Sequence, residues 1–158
     1  MGMQYDVKSK HMSASGVAYA ARTRLKGVVI SANAAAAARN AVFADNTPKT
    51  GTYSIASTTL TVAVANTLVA GDRVWLDFTS GSAVDNVYEV LTANATTFTV
   101  TTAASGTGNV TVYTDVLMEA DSYNAVAYSI LVPGEGILAE TGIYVGLPDN
   151  LTATVFYG

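Results

Sequence analysis

An enzyme needs several nucleophilic or titratable groups that converge on one place. This chain has one histidine, His11, and no cysteine. A single imidazole rules out metal sites built on two or three histidines. Without thiols there are no disulfides, thiolate nucleophiles or thiolate metal ligands. A Ser-His-Asp triad would have to use His11, which sits among Lys10, Met12 and Ser13 with no Gly-x-Ser-x-Gly elbow nearby. It reads as an exposed turn residue. Paired carboxylates for glycoside chemistry must face each other about 5 to 9.5 Å apart. Glu135 and Glu140 flank a turn, and Asp72, Asp77 and Asp85 cluster in sequence; solvated surface is the cheaper explanation for both groups. Asp77, Asp85 and Glu89 lack the Asp-x-Asp-x-Asp-Gly spacing of a Ca²⁺ loop. Gly106-Thr107-Gly108 lacks the lysine and following helix of a phosphate loop, and is expected to be a hairpin turn. The expectation is a protein that is not an enzyme, with no catalytic residue, no metal and no cofactor.

Strands are the elements that would position any site. Half of the 158 residues are apolar and only 13% are charged, which argues against intrinsic disorder. No run approaches the roughly 20 apolar residues of a spanning helix, so no membrane partner is expected. The start, Met1-Gly2-Met3-Gln4-Tyr5-Asp6, has an acid where a secretory signal carries its basic region. Ser31 to Arg39, SANAAAAAR, reads as a loop with one helical turn at most. Elsewhere the pattern has period two, with β-branched and aromatic residues bounded by Gly, Asn, Asp and Pro. It predicts strands at Gln4 to Lys8, Val17 to Tyr19, Leu25 to Ser31, Ala41 to Phe43, Thr52 to Ile55, Thr59 to Val64, Arg73 to Phe78 and Val87 to Leu91. Further strands are predicted at Thr97 to Thr101, Asn109 to Tyr113, Val116 to Glu119, Ala125 to Leu131, Ile137 to Ala139, Gly142 to Val145 and Thr152 to Phe156.

Between about Thr50 and Thr114 the chain becomes rich in Thr, Val, Ser and Ala. Turn-formers stand at both seams, Asn46-Thr47-Pro48-Lys49-Thr50-Gly51 and Thr114-Asp115. The expected fold is all-β. An outer jelly-roll-like β-sandwich of residues 1–49 and 115–158 carries a small β-barrel or sandwich of residues 50–114 in one loop. A single continuous sandwich is the alternative.

Charge is uneven. Up to residue 39, Lys8, Lys10, Arg22, Arg24, Lys26 and Arg39 face Asp6 alone; beyond it, Lys49 and Arg73 face the other eleven acids. The basic strands either pair with later acidic strands inside one fold or form a face that docks on an acidic partner. Nucleic-acid binding is not expected, because the basic residues are sparse and the pI is near 4.7.

RTRLKGVVISAN (residues 22–33), AVFADN (41–46), LVPGEGILAETGIYVGL (131–147) and LTATVFYG (151–158) together resemble a small structural protein of tailed-bacteriophage virions, of the head-decoration type. The inserted TLTVAVANTLVAGDRVWLDFTSGSAVDNVYEVL (59–91) and TTFTVTTAASGTGNVTV (96–112) are similar to a β-module of phage, notably cyanophage, structural proteins. That module usually carries His-Gly-Leu before a Val-Gly-Asp turn; here Asn66-Thr67-Leu68 and Ala70-Gly71-Asp72 stand in those places. Neither resemblance implies an enzyme.

The resemblance implies a capsid decoration or cement subunit, assembled in the host cytoplasm and resident in the virion, with the major capsid protein or other virion subunits as partners. A low-charge surface with strand edges to cover implies a homo-oligomer, a trimer being one closed order. The candidate interface is Lys8, Lys10, Arg22, Arg24 and Lys26, with Trp75, Tyr144 and Tyr157. Trp75, the single tryptophan, is opposite in phase to Val74 and Leu76, so it reads either as an outward anchor or as covered packing. Two other roles stay open: a tail, collar or fibre-base protein, and a glycan-binding adhesion module stacking sugars on Trp75, Tyr88 or Tyr113.

Overall fold

The computed structural model describes residues 6–32, 39–45, 48–122, 126–148 and 150–158. Its regular structure is all β. In chain order the strands are β1 (Lys8–Met12), β2 (Gly16–Tyr19), β3 (Thr23–Ala32), β4 (Arg39–Ala44), β5 (Lys49–Ala56), β6 (Thr59–Ala63), β7 (Arg73–Phe78) and β8 (Asn86–Glu89). They continue with β9 (Thr92–Ala93), β10 (Thr97–Thr101), β11 (Gly106–Tyr113), β12 (Val116–Ser122), β13 (Tyr128–Leu131), β14 (Ile137–Ala139), β15 (Ile143–Gly146) and β16 (Leu151–Tyr157). The chain divides into two compact units, Met1–Thr47 with Leu117–Gly158, and Pro48–Val116.

The discontinuous unit is a two-sheet sandwich. One sheet runs β1-β16-β3-β13, with β14 also on β3; the other runs β12-β4-β15-β2. Both β13 and β14 pair antiparallel with β3, at Gly27–Ile30 and Thr23–Leu25, so they are one strand broken by Pro133-Gly134-Glu135-Gly136. Counted that way there are eight strands among the described residues, in order 1-8-3-6 and 5-4-7-2. Consecutive strands alternate between sheets except at the fourth and fifth, between which the second unit is spliced. This is the double Greek key of a jelly roll.

Alternation builds its core. In β16, Leu151, Ala153, Val155 and Tyr157 point inward and the residues between them are only partly buried. In β3, Leu25 and Val28 are both inward although three residues apart, because the register with β16 skips Lys26 between Phe156 and Tyr157. That bulge resets the phase. These side chains meet Phe43, Ile143 and Val145 of the other sheet. Each buried aliphatic contributes about 1.5–3 kcal/mol, more than any surface ion pair.

The second unit is a seven-stranded sheet curled into a half-barrel. Its sheet order is β8-β7-β11-β5-β6-β10-β9, and the two end strands β8 and β9 are separated in the chain only by Val90 and Leu91. Two residues reach no more than about 10 Å, so the sheet curls until the end of β8 and the start of β9 lie close together. Leu91 N donates to Thr99 O at 2.8 Å, and Val90 N to Asp72 O at 2.8 Å. Inside lie Tyr53, Leu60, Val62, Val74, Leu76, Phe98, Val100, Val110 and Val112. Outside, Thr92, Thr99, Thr61, Ser54 and Thr107 stand in register across five strands, and the Thr92 and Thr99 hydroxyls are 2.8 Å apart.

Four local expectations are revised. His11 is in β1, opposite Thr154 with Nδ1 3.1 Å from its Oγ1, and not in a turn. Of the strand expected at Gln4 to Lys8, Gln4 and Tyr5 lie outside the described residues, and Lys8 begins β1. Gly106 and Gly108 lie in β11, paired with Ile55 and Tyr53, and are not a hairpin turn. A Cβ on Gly108 would stand 2.2 Å from Ser80 O and 2.8 Å from the Tyr53 ring, so glycine serves close approach there. Most of the loop expected at Ser31 to Arg39 lies outside the described residues; Ser31 and Ala32 belong to β3 and Arg39 to β4.

Candidate functional site

The jelly roll brings half of the sequence-predicted interface into one groove. About 420 Å³ in volume, it is lined by Lys8 of β1, Arg22 in the turn after β2, Arg24 of β3 and Tyr157 of β16, together with Asp6 and Tyr19. The Tyr19 and Tyr157 rings stack with centroids 4.8 Å apart and planes at 29°. Tyr157 is therefore a buried packing residue, 9% exposed, and Tyr19, missed at sequence level, is its partner. Tyr144 is half-buried in an adjoining groove of about 370 Å³, where it shares Tyr19 and Val17 as neighbours.

The cations are largely engaged within the unit. Arg22 Nε lies 2.8 Å from Glu140, with both side chains well exposed. Arg24 lies 3.5 Å from Glu135 and also donates to Gly136 O at 3.3 Å. Lys26 Nζ donates to Glu135 O at 2.7 Å. Lys10 Nζ donates to Val17 O at 2.7 Å, tying β1 to β2. Arg24 and Lys26 thus hold the Pro133–Gly136 excursion onto β3. Exposed pairs of this kind are worth about 0–1 kcal/mol each, so they position a loop more than they stabilise a fold.

Trp75 belongs to the other unit and is not among the residues that line this groove. Its phase in β7 is opposite to Val74 and Leu76, as read from sequence, yet it is only 2% exposed. Its ring meets that of Tyr113 edge-on at 4.8 Å and 68°, and Tyr113 is 1% exposed. Trp75 is therefore not an outward anchor, and neither it nor Tyr113 is open to stack on a sugar. Tyr88 is half-buried and donates its hydroxyl to Val84 O at 2.6 Å.

One carboxylate is held in an unusual setting. Asp45, just past β4, accepts from Glu140 N (2.6 Å), Thr141 N (2.8 Å) and Gly142 N (3.2 Å), and from Thr141 Oγ1 (3.0 Å). Burial pushes its pKa up, but the hydrogen bonds from Thr141, Glu140 and Gly142 outweigh burial and hold it below the ordinary value of 3.8. Burial raises the Tyr88 phenol, with Asp85 adding to it, and burial with Asp121 raises that of Tyr128.

Among the described residues no three His, Asp or Glu side chains gather to hold a metal ion. Asp85 accepts from Phe78 N at 2.8 Å and Asp72 from Val69 N at 2.9 Å, which fixes turns. These contacts bind strands and loops together. Among known families, curated proteins and solved structures, none matches the chain.

Proposed function

We propose that this chain is a structural subunit of a tailed-phage virion, a capsid decoration or cement protein that docks on the shell and stabilises it by repeated packing. The observation that carries this reading is the jelly-roll strand order, 1-8-3-6 over 5-4-7-2, an architecture used by viral capsid proteins, in a chain whose sequence resembles phage structural proteins. The groups engaged at its surface join strands and loops, as suits a protein whose task is to be held in place. Shell subunits, the major capsid protein foremost, are the partners this reading names. Many weak identical contacts on a lattice add through effective concentration.

A reconstruction of the intact particle by electron cryo-microscopy tests the reading. Density for two β-units of this size on the capsid surface is the expected result. Density at the tail, collar or fibre base would move the protein there and keep its structural role. A particle without this chain would end the proposal.

A further inference from the structure

The jelly roll has two lateral flanks, and its exposed apolar side chains are sorted onto them. On one flank β1 and β2 are the outer strands of their sheets; on the other, β13 and β12 are. Lys10 joins the first pair through Val17 O, and the Tyr128 hydroxyl joins the second through Asp121 O. Among the described residues, this unit's exposed large hydrophobics are Val7 (45%), Val17 (39%), Val126 (61%) and Leu131 (80%). The first two lie just before β1 and in β2; the others lie just before β13 and at its end.

Charge divides along the same line. The β1/β2 flank carries Lys8 and Lys10 with Asp6 beside them, all exposed, a net positive charge, and the β12/β13 flank carries Asp121, exposed, and Glu119, half-buried, a negative one. Lysine on an outer strand is a common guard against strand addition. β13, Tyr-Ser-Ile-Leu, has none. Leu131, four-fifths exposed on an outer strand without lysine, is an apolar surface to cover.

We infer that the β1/β2 flank of one copy docks on the β12/β13 flank of the next. Val7 and Val17 would meet Val126 and Leu131, with Lys8 facing Asp121. Two copies of one flank would oppose like charges, which complementarity disfavours. The contact is therefore heterologous, and repetition gives a closed ring or an open filament. It deepens the assembly role proposed above by naming its self-contact, yet it does not depend on where in a particle the protein sits.

Because the chain has no cysteine, introduced thiols report unambiguously. Full-length Val17→Cys and Leu131→Cys proteins are treated with a short bismaleimide crosslinker, separately and mixed. Crosslinked dimer is expected in the mixture alone, and the double variant should give a ladder ending at the ring size. Self-crosslinking of either single variant as readily as the mixture would overturn the inference, and so would monomer throughout. Charge provides a second arm: Lys8→Glu or Asp121→Lys should each weaken self-association by about tenfold, and Lys8→Glu/Asp121→Lys should recover it. Equal weakening in the double variant would count against the contact. A monomer in solution that still decorates particles would sink this contact and leave the virion reading standing. A crosslinked ring absent from particles would do the reverse.

Discussion

Asp45 and Thr141, 96 residues apart, hold each other through main chain and side chain at once. The Thr141 amide and hydroxyl both donate to the Asp45 carboxylate, at 2.8 and 3.0 Å, and the hydroxyl also lies 2.6 Å from the Asp45 carbonyl. The pair fixes the end of β4 to the turn that leads into β15, its neighbour in the sheet. Removing the carboxylate leaves three backbone donors to find water. Asp45→Ala should cost about 1–2 kcal/mol, less than a buried charged acceptor because the site is partly exposed. A urea midpoint that falls with unchanged slope is the expected signature, and a change under about 0.5 kcal/mol would show the contact to be idle.

The same carboxylate should make stability depend on pH. Its folded-state pKa lies below the ordinary 3.8, so the unfolded chain takes up this proton first. Its contribution is fully present above the unfolded value and is lost as pH falls through the folded one. The stability gap between wild type and Asp45→Asn should therefore be constant from neutral pH down to the ordinary aspartate range and close below it. A gap that stays open at the lowest pH would refute the assignment.

Two glycines that look alike in sequence should behave differently when replaced. At Gly108 an added Cβ meets Ser80 O, in the bend after β7, at 2.2 Å and the ring of Tyr53, in β5, at 2.8 Å. Backbone cannot yield cheaply, so Gly108→Ala should cost about 2–3 kcal/mol. Gly71 has open space around it but φ is +93°, and Gly71→Ala should cost only about 1 kcal/mol of strain. Thermal midpoints of the two variants give the comparison; the reverse order would mean that the Tyr53–Ser80 contact is soft.

Legibility followed the pattern each segment carries. β16, β6 and β10 alternate cleanly, and period two alone locates them. β1 escaped because Lys-Ser-Lys-His-Met buries only Met12; an outer strand guarded by lysine looks like a loop. The first half of β11 reads as a turn because its glycines answer a steric demand from Tyr53 and Ser80 that no local pattern records. The Asp45–Thr141 clasp was invisible for a related reason: its two halves are separate motifs, and only strand order makes them neighbours. Arg22–Glu140 and Arg24–Glu135 follow the basic-to-acidic asymmetry along the chain, though sequence could not say which acids would be met.

Trp75 shows where phase stops being informative, and it gives the sharpest optical test. Alternation fixes the face of β7 on which the indole lies but cannot say whether that face is covered. At 2% exposure and in edge contact with Tyr113, the single tryptophan should emit as a buried indole and resist quenching by iodide. Truncation to Trp75→Ala should cost about 3–5 kcal/mol, the usual loss for a large buried aromatic. Tyr113→Leu, which keeps much of the volume, should cost less and should raise quencher access to the indole if the two rings shield one another. An emission maximum and quenching constant like those of free tryptophan in the folded wild type would restore the outward anchor and overturn the packing role.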